Sequence, residues 1–126
     1  MIDKTKYVVL DTETNGLNPN YHDLLSLAIY KPDDEKVFHQ YFPLHRNKRI
    51  YEEASKINGI TMDDLIDAKD LTQRDVDILI KEFELDKRTI LVYGNKFDEL
   101  FLNAYFKRCK LKGNDQFSYF NIKELF

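Results

Sequence analysis

Apolar positions along the chain change period several times. Tyr7-Val8-Val9-Leu10, Leu24 to Tyr30 and Val37 to Phe42 are short apolar runs bounded by Gly, Pro, Asn or Asp. Runs of this length, rich in β-branched and aromatic residues, predict three strands. Lys31-Pro32-Asp33-Asp34-Glu35-Lys36 separates the second from the third. Its turn chemistry predicts an antiparallel hairpin with a solvated acidic tip.

Downstream the period becomes helical. Tyr51 to Asn58 reads as a short helix stopped by Gly59, and Thr61 with Asp64 reads as a capping box for the next turn. Thr72 and Asp75 repeat that spacing ahead of Val76, Leu79, Ile80 and Phe83, an i, i+3, i+4, i+7 stripe that predicts a core-facing helix. Ile90 to Tyr93 reads as a short buried strand closed by Gly94. A last helix is predicted from about Asn95, with Phe97, Leu100, Phe101, Ala104 and Tyr105 toward the core. Strand-helix-strand connectivity implies that the Tyr93 end lies beside the Leu10 end in parallel pairing, which makes this an α/β chain.

Composition narrows the class. With 126 residues, 43% hydrophobic and 33% charged, the chain reads as one globular domain over 1–126. No stretch approaches the roughly 18 apolar residues of a membrane span, and the first residues lack a signal-peptide core, so the expectation is a cytoplasmic protein with no membrane partner. Cys109 is the only cysteine, so neither a disulfide framework nor a cysteine-based zinc site is expected within one chain; it reads as a passive helix residue rather than a nucleophile. The net charge of −3 is not that of a protein that clamps a duplex. Two basic clusters stand out, His45-Arg46-Asn47-Lys48-Arg49 in a loop, where it could meet a phosphate backbone, and Lys107 to Lys112 after a helix, where cations offset the dipole.

The first strand runs into Asp11-Thr12-Glu13-Thr14-Asn15-Gly16-Leu17. Successive strand side chains alternate in direction, so Asp11 and Glu13 share a face with Cα atoms roughly 6 to 7 Å apart. Such a pair could hold a hard divalent cation at the carboxyl end of a strand, or could simply belong to a polar turn. The heptapeptide resembles the first motif of the DEDD superfamily of 3′→5′ exonucleases, in particular the branch of the DNA polymerase III epsilon proofreading subunit, with Asn15 where threonine is usual. Ala54-Ser55-Lys56-Ile57-Asn58-Gly59-Ile60-Thr61 resembles the linker of that family, with Asn58 where histidine is common. Tyr93-Gly94-Asn95-Lys96-Phe97-Asp98 resembles the second motif, with Phe-Asp kept and the leading residues changed.

The resemblance implies an RNase H-like mixed β-sheet flanked by helices. It also implies a two-metal site for Mg²⁺ or Mn²⁺, held by Asp11, Glu13 and Asp98. Thr12, Thr14, Asn15, Gly16, Leu17 and Phe97 would hold the 3′ end of a single-stranded nucleic acid, largely through main-chain groups and the Leu17 side chain. A DNA polymerase subunit is the implied partner. Taken alone, Asp98 could equally be an acid favouring the start of its helix beside an Asn95 cap.

One departure is large. The third motif, His-x-x-x-x-Asp, supplies the general base and fourth carboxylate in the family, and residues 107 to 126 contain no histidine. His22, His39 and His45 precede the second motif and read as surface or hairpin residues, while Asp115 lies in a Gly-Asn-Asp turn. Asn121 to Phe126 resembles the family's short strand and the start of a further helix. The expectation is therefore a fold lacking its C-terminal helix segment, with little activity of its own. A non-catalytic nucleic-acid-binding or protein-interaction module on the same fold is the alternative. A phosphatase of the haloacid dehalogenase type opens similarly, but wants Asp where Glu13 stands.

Overall fold

A computed structural model describes residues 3–94 and 97–125, with side chains through Lys123. One five-stranded mixed sheet has the order β3-β2-β1-β4-β5. It is formed by β1 (Tyr7–Thr14), β2 (Leu24–Lys31), β3 (Lys36–Tyr41), β4 (Thr89–Val92) and β5 (Ser118–Asn121). Three helices accompany it, α1 (Glu52–Asn58), α2 (Gln73–Phe83) and α3 (Phe97–Arg108), and 3₁₀ turns lie at Asp63–Leu65, Asn114–Gln116 and Ile122–Leu125.

Both capping boxes form. Thr72 and Asp75 exchange side-chain and main-chain hydrogen bonds at the start of α2. Thr61 and Asp64 do the same, but around a 3₁₀ turn. Gly59 closes α1 at φ 72°, where a Cβ would be strained, and donates its N–H to the Ser55 carbonyl. Asn95, the expected cap of α3, lies outside the described residues.

β1 and β2 are longer than predicted for the first strand, because β2 pairs antiparallel with β1 as far as Thr14. The register slips between Glu13 and Thr14. One consequence is that Leu24 and Leu27, three positions apart, both enter the main core, while Leu25 joins Ile60 and Leu65 in a second, smaller one. β4 pairs parallel with β1, as the connectivity requires. The hydrophobic pattern does not mark β5, because Phe117, Tyr119 and Phe120 are broken up by polar residues after a Gly-Asn-Asp turn; the short strand that the resemblance implied from Asn121 onward in fact ends at that residue.

Val8, Leu10, Leu27, Ile29, Ile90 and Val92 from the sheet meet Val76, Leu79 and Phe83 of α2 and Phe101, Leu102, Tyr105 and Phe106 of α3. Burying each of the larger side chains is worth about 1.5–3 kcal/mol. The expected face of α3 is corrected here. Asp98, Phe101, Leu102, Tyr105 and Phe106 are buried, whereas Phe97 and Leu100 are exposed. Anchoring Asp98 inward turns the helix about one position from the all-apolar stripe. The acidic hairpin tip is solvated as expected, with Asp33, Asp34 and Glu35 all exposed, and Asp33 in addition makes a two-pronged ion pair with buried Arg88, at 2.8 and 3.0 Å.

On the opposite face, register aligns Val37, Tyr30, Val9, Leu91 and Phe120 in one cross-strand row. All but half-buried Leu91 are exposed.

Candidate active site

β1 outruns β4. Its pairing with β4 is recorded only through Val9, so the Thr12 N–H projects past the end of β4 and finds no strand partner. Asp98, in the first turn of α3, fills that gap. Its Oδ1 accepts from the Thr12 N–H at 2.9 Å and from the Thr12 hydroxyl. Asp98 is only 6% exposed. Parallel pairing and the α3 dock thus bring it to the strand that carries Asp11 and Glu13, as the strand-helix-strand connectivity implied.

Electrostatics tie the three carboxylates together. Burial raises the pKa of all three above the ordinary carboxylate value. Asp11 and Asp98 push Glu13 further up, and Asp11 pushes Asp98, against the lowering effect of the Thr12 hydrogen bonds. Half-buried Tyr119, whose hydroxyl is enclosed with no hydrogen-bond partner among the described residues, has its pKa raised by burial and then by Glu99 and Asp98. In this conformation, with Asp98 held on Thr12, the three do not draw their oxygens within 4.8 Å of one another; among the described residues that closeness occurs only at another cluster. The donor set is nonetheless all oxygen and strongly anionic, which fits a hard divalent cation.

Beside Glu13 lies a pocket of about 330 Å³ lined by the Thr12–Leu17 segment, His22, Tyr51, Ile57 and Asn58. The residues expected there divide into two groups. Leu17 is 75% exposed and Phe97 38%, so both apolar side chains are free to meet a ligand. The polar ones are committed to the fold. Thr12 is bound to Asp98, the Thr14 hydroxyl donates to the Gly16 carbonyl, and the Asn15 N–H donates to the Asp23 carbonyl. The Asn15 side chain, 1% exposed, donates to Asn47 and to the Arg49 carbonyl and accepts from the Tyr51 N–H. The side chains of Thr12, Thr14 and Asn15 thus serve to shape the turn. Gly16 is needed because a Cβ there would meet the His22 ring at 2.4 Å.

Several site residues were missed from sequence. Fully buried Asp23 accepts from the main-chain N–H groups of Arg46 and Asn47 and pairs with the Arg108 side chain at 3.2 Å, so the second basic cluster offsets its charge while the first contributes only main-chain donors. Asn47 relays this knot to Asn15, and Asn58 donates to the Thr14 carbonyl. His22, read as a surface residue, stacks edge-on to Tyr51 in the pocket wall. Their sequence contexts are ordinary loop polar residues, and only the fold gathers them.

The model of an exonuclease family, the RNase T type, matches residues 8–125. The chain belongs to this family. It is 34% identical over 129 residues to the DNA polymerase III subunit epsilon of Buchnera aphidicola subsp. Schizaphis graminum, covering 93% of this chain and 52% of that protein. A PolC-type DNA polymerase III of Streptococcus pneumoniae is 33% identical over 112 residues, covering 85% of this chain and 7% of the polymerase. The chain therefore spans about half of the one relative and a small part of the other. Among solved structures, E. coli exonuclease I in complex with a dT13 oligonucleotide superposes with a TM-score of 0.71 at 18% identity, covering 94% of this chain and 28% of that one. The nuclease domain of 3′hExo, a DEDDh family member bound to rAMP, gives 0.64 at 22%, covering 84% and 60%. These likenesses establish the RNase H-like exonuclease fold. Among the described residues no helix is long and apolar enough to cross a membrane.

Proposed function

We propose that this chain is the nuclease part of a metal-dependent 3′→5′ exonuclease, removing 5′-mononucleotides from single-stranded DNA or RNA in the bacterial cytoplasm alongside a polymerase. The observation that carries the reading is the placement of Asp98 on Thr12, between Asp11 and Glu13, beside an open pocket with exposed Leu17 at its rim. Asp11, Glu13 and Asp98 would hold Mg²⁺ or Mn²⁺. Such ions, when bound, lower the pKa of water and stabilise developing charge on phosphate oxygens. Thr12 fixes the Asp98 carboxylate, and the pocket wall orients the terminal base. Arg49, 5.9 Å from the Tyr51 ring, stands close enough to that wall to meet a backbone phosphate.

Because residues 107–126 offer no histidine, a non-catalytic single-strand-binding role is the second reading. A 5′-labelled single strand with Mn²⁺ decides between them. Stepwise shortening that a 3′-phosphate blocks and that Asp11→Ala abolishes supports the exonuclease. Binding without shortening supports the module, and rapid cutting of a closed circle contradicts both. Millimolar Mn²⁺ should also raise the melting temperature of the natural chain and not that of Asp11→Ala, since the ion relieves carboxylate repulsion.

A further inference from the structure

A second cluster of ligating side chains lies away from the carboxylates. His45 comes from the loop after β3, Asp70 from the segment before α2, and Cys109 from the residue after α3. Their imidazole nitrogen, carboxylate oxygen and sulfur all lie within 4.8 Å of one another. Three segments far apart in sequence thus deliver three different donor types to one point. We propose that His45, Asp70 and Cys109 form a binding site for a borderline divalent cation, zinc foremost, distinct from the site that holds Asp11, Glu13 and Asp98.

The donor chemistry selects the ion. Thiolate and imidazole are the ligands of Zn²⁺ and related transition metals, and they discriminate against Mg²⁺ and Ca²⁺, the hard ions suited to the carboxylate site. Three protein ligands leave a fourth, tetrahedral position for water. The distances need little change. His45 Nε2 lies 2.8 Å from Asp70 Oδ1, whereas ligands on one tetrahedral zinc are about 3.3–3.6 Å apart, so this contact opens by roughly half an ångström as the ion enters.

The surroundings support the ligands. The Tyr105 hydroxyl donates at 2.9 Å to Asp70 Oδ1, the same oxygen that faces His45, and accepts from the Leu71 N–H, which holds that oxygen in position while leaving it further lone-pair capacity. A thiolate and a carboxylate balance the charge of the ion. Arg108 is adjacent, but fully buried Asp23 pairs with it. The ion would clamp the loop bearing Asn47, and hence Asn15 and Tyr51, against α3.

The test uses Co²⁺ as a spectroscopic probe in an Asp11→Asn background, where the carboxylate site is weakened. The expected result is one equivalent of Co²⁺ bound with a thiolate-to-metal charge-transfer band. The band should vanish in Cys109→Ser, and the apparent affinity should fall at least about tenfold in His45→Gln, which removes a ligand, since losing even an outer-shell partner costs about that much. Zn²⁺ should displace the probe and Mg²⁺ should not. No charge-transfer band, or a band that survives Cys109→Ser, overturns the proposal. Circular dichroism separates loss of ligand from loss of fold, and since the carboxylate background is common to all samples, the outcome is independent of whether the chain is a nuclease.

Discussion

At the residue scale, Thr12 links chemistry to fold. Its N–H and hydroxyl both hold Asp98, so it positions the carboxylate without touching a ligand. Thr12→Val keeps the main-chain bond and removes the other. Mn²⁺ affinity, measured by calorimetry, should fall by about tenfold while the far-ultraviolet dichroism stays unchanged. Gly16 is constrained sterically. A methyl group there drives into the His22 ring, and overpacking of this kind typically costs about 1–3 kcal/mol. Gly16→Ala should lower stability to denaturant, and adding His22→Ala should recover part of it. Additivity of the two changes would refute that contact.

At the element scale, Arg88 fastens the sheet to its surroundings. It follows α2 at the edge of β4, pairs with Asp33 at the β2–β3 turn and with Glu84 one helical turn back, and donates to the Lys4 carbonyl. The guanidinium holds Asp33 down to about 2 and lowers Glu84 as well, in both cases chiefly by hydrogen bonding. A carboxylate with a lowered folded pKa adds stability that is present above its unfolded value. That stability is lost as pH falls through the folded one. The natural chain should therefore lose stability between about pH 4.5 and 2, the span from the ordinary Glu value to the lowered Asp33 value. Arg88→Met should be less stable at neutral pH and show a flatter acid limb in melting temperature. An unchanged limb would mean that other carboxylates govern it.

At the scale of the whole molecule, the 126 residues bring three acidic groups to one strand end and offer no histidine beyond Asp98. General-base catalysis is typically worth 10²–10⁴-fold. On single-stranded DNA with Mn²⁺, this chain should be at least about 10²-fold slower per molecule than a family member that carries the third motif. Equal rates would show that another group in this chain serves as base.

Local pattern alone determined much of this. Periods of two and 3.6, two capping boxes and a glycine stop specify β1 to β4 and α1 to α3, because each depends on neighbours within a few residues. The Asp-x-Glu spacing likewise put Asp11 and Glu13 on one face before any partner was known. Tertiary structure decided what depends on who lies beside whom. α3 turned from its apolar stripe because Asp98 had an unpaired N–H to satisfy on β1, and β5 formed because the open edge of β4 needed a partner. Asp23, Asn47, Asn15 and Tyr51 became one buried network for the same reason, as did His45, Asp70 and Cys109 a cluster. A lone polar residue in a loop carries no mark of its distant partner, since hydrogen-bond and ligand geometry exist only after the chain has closed.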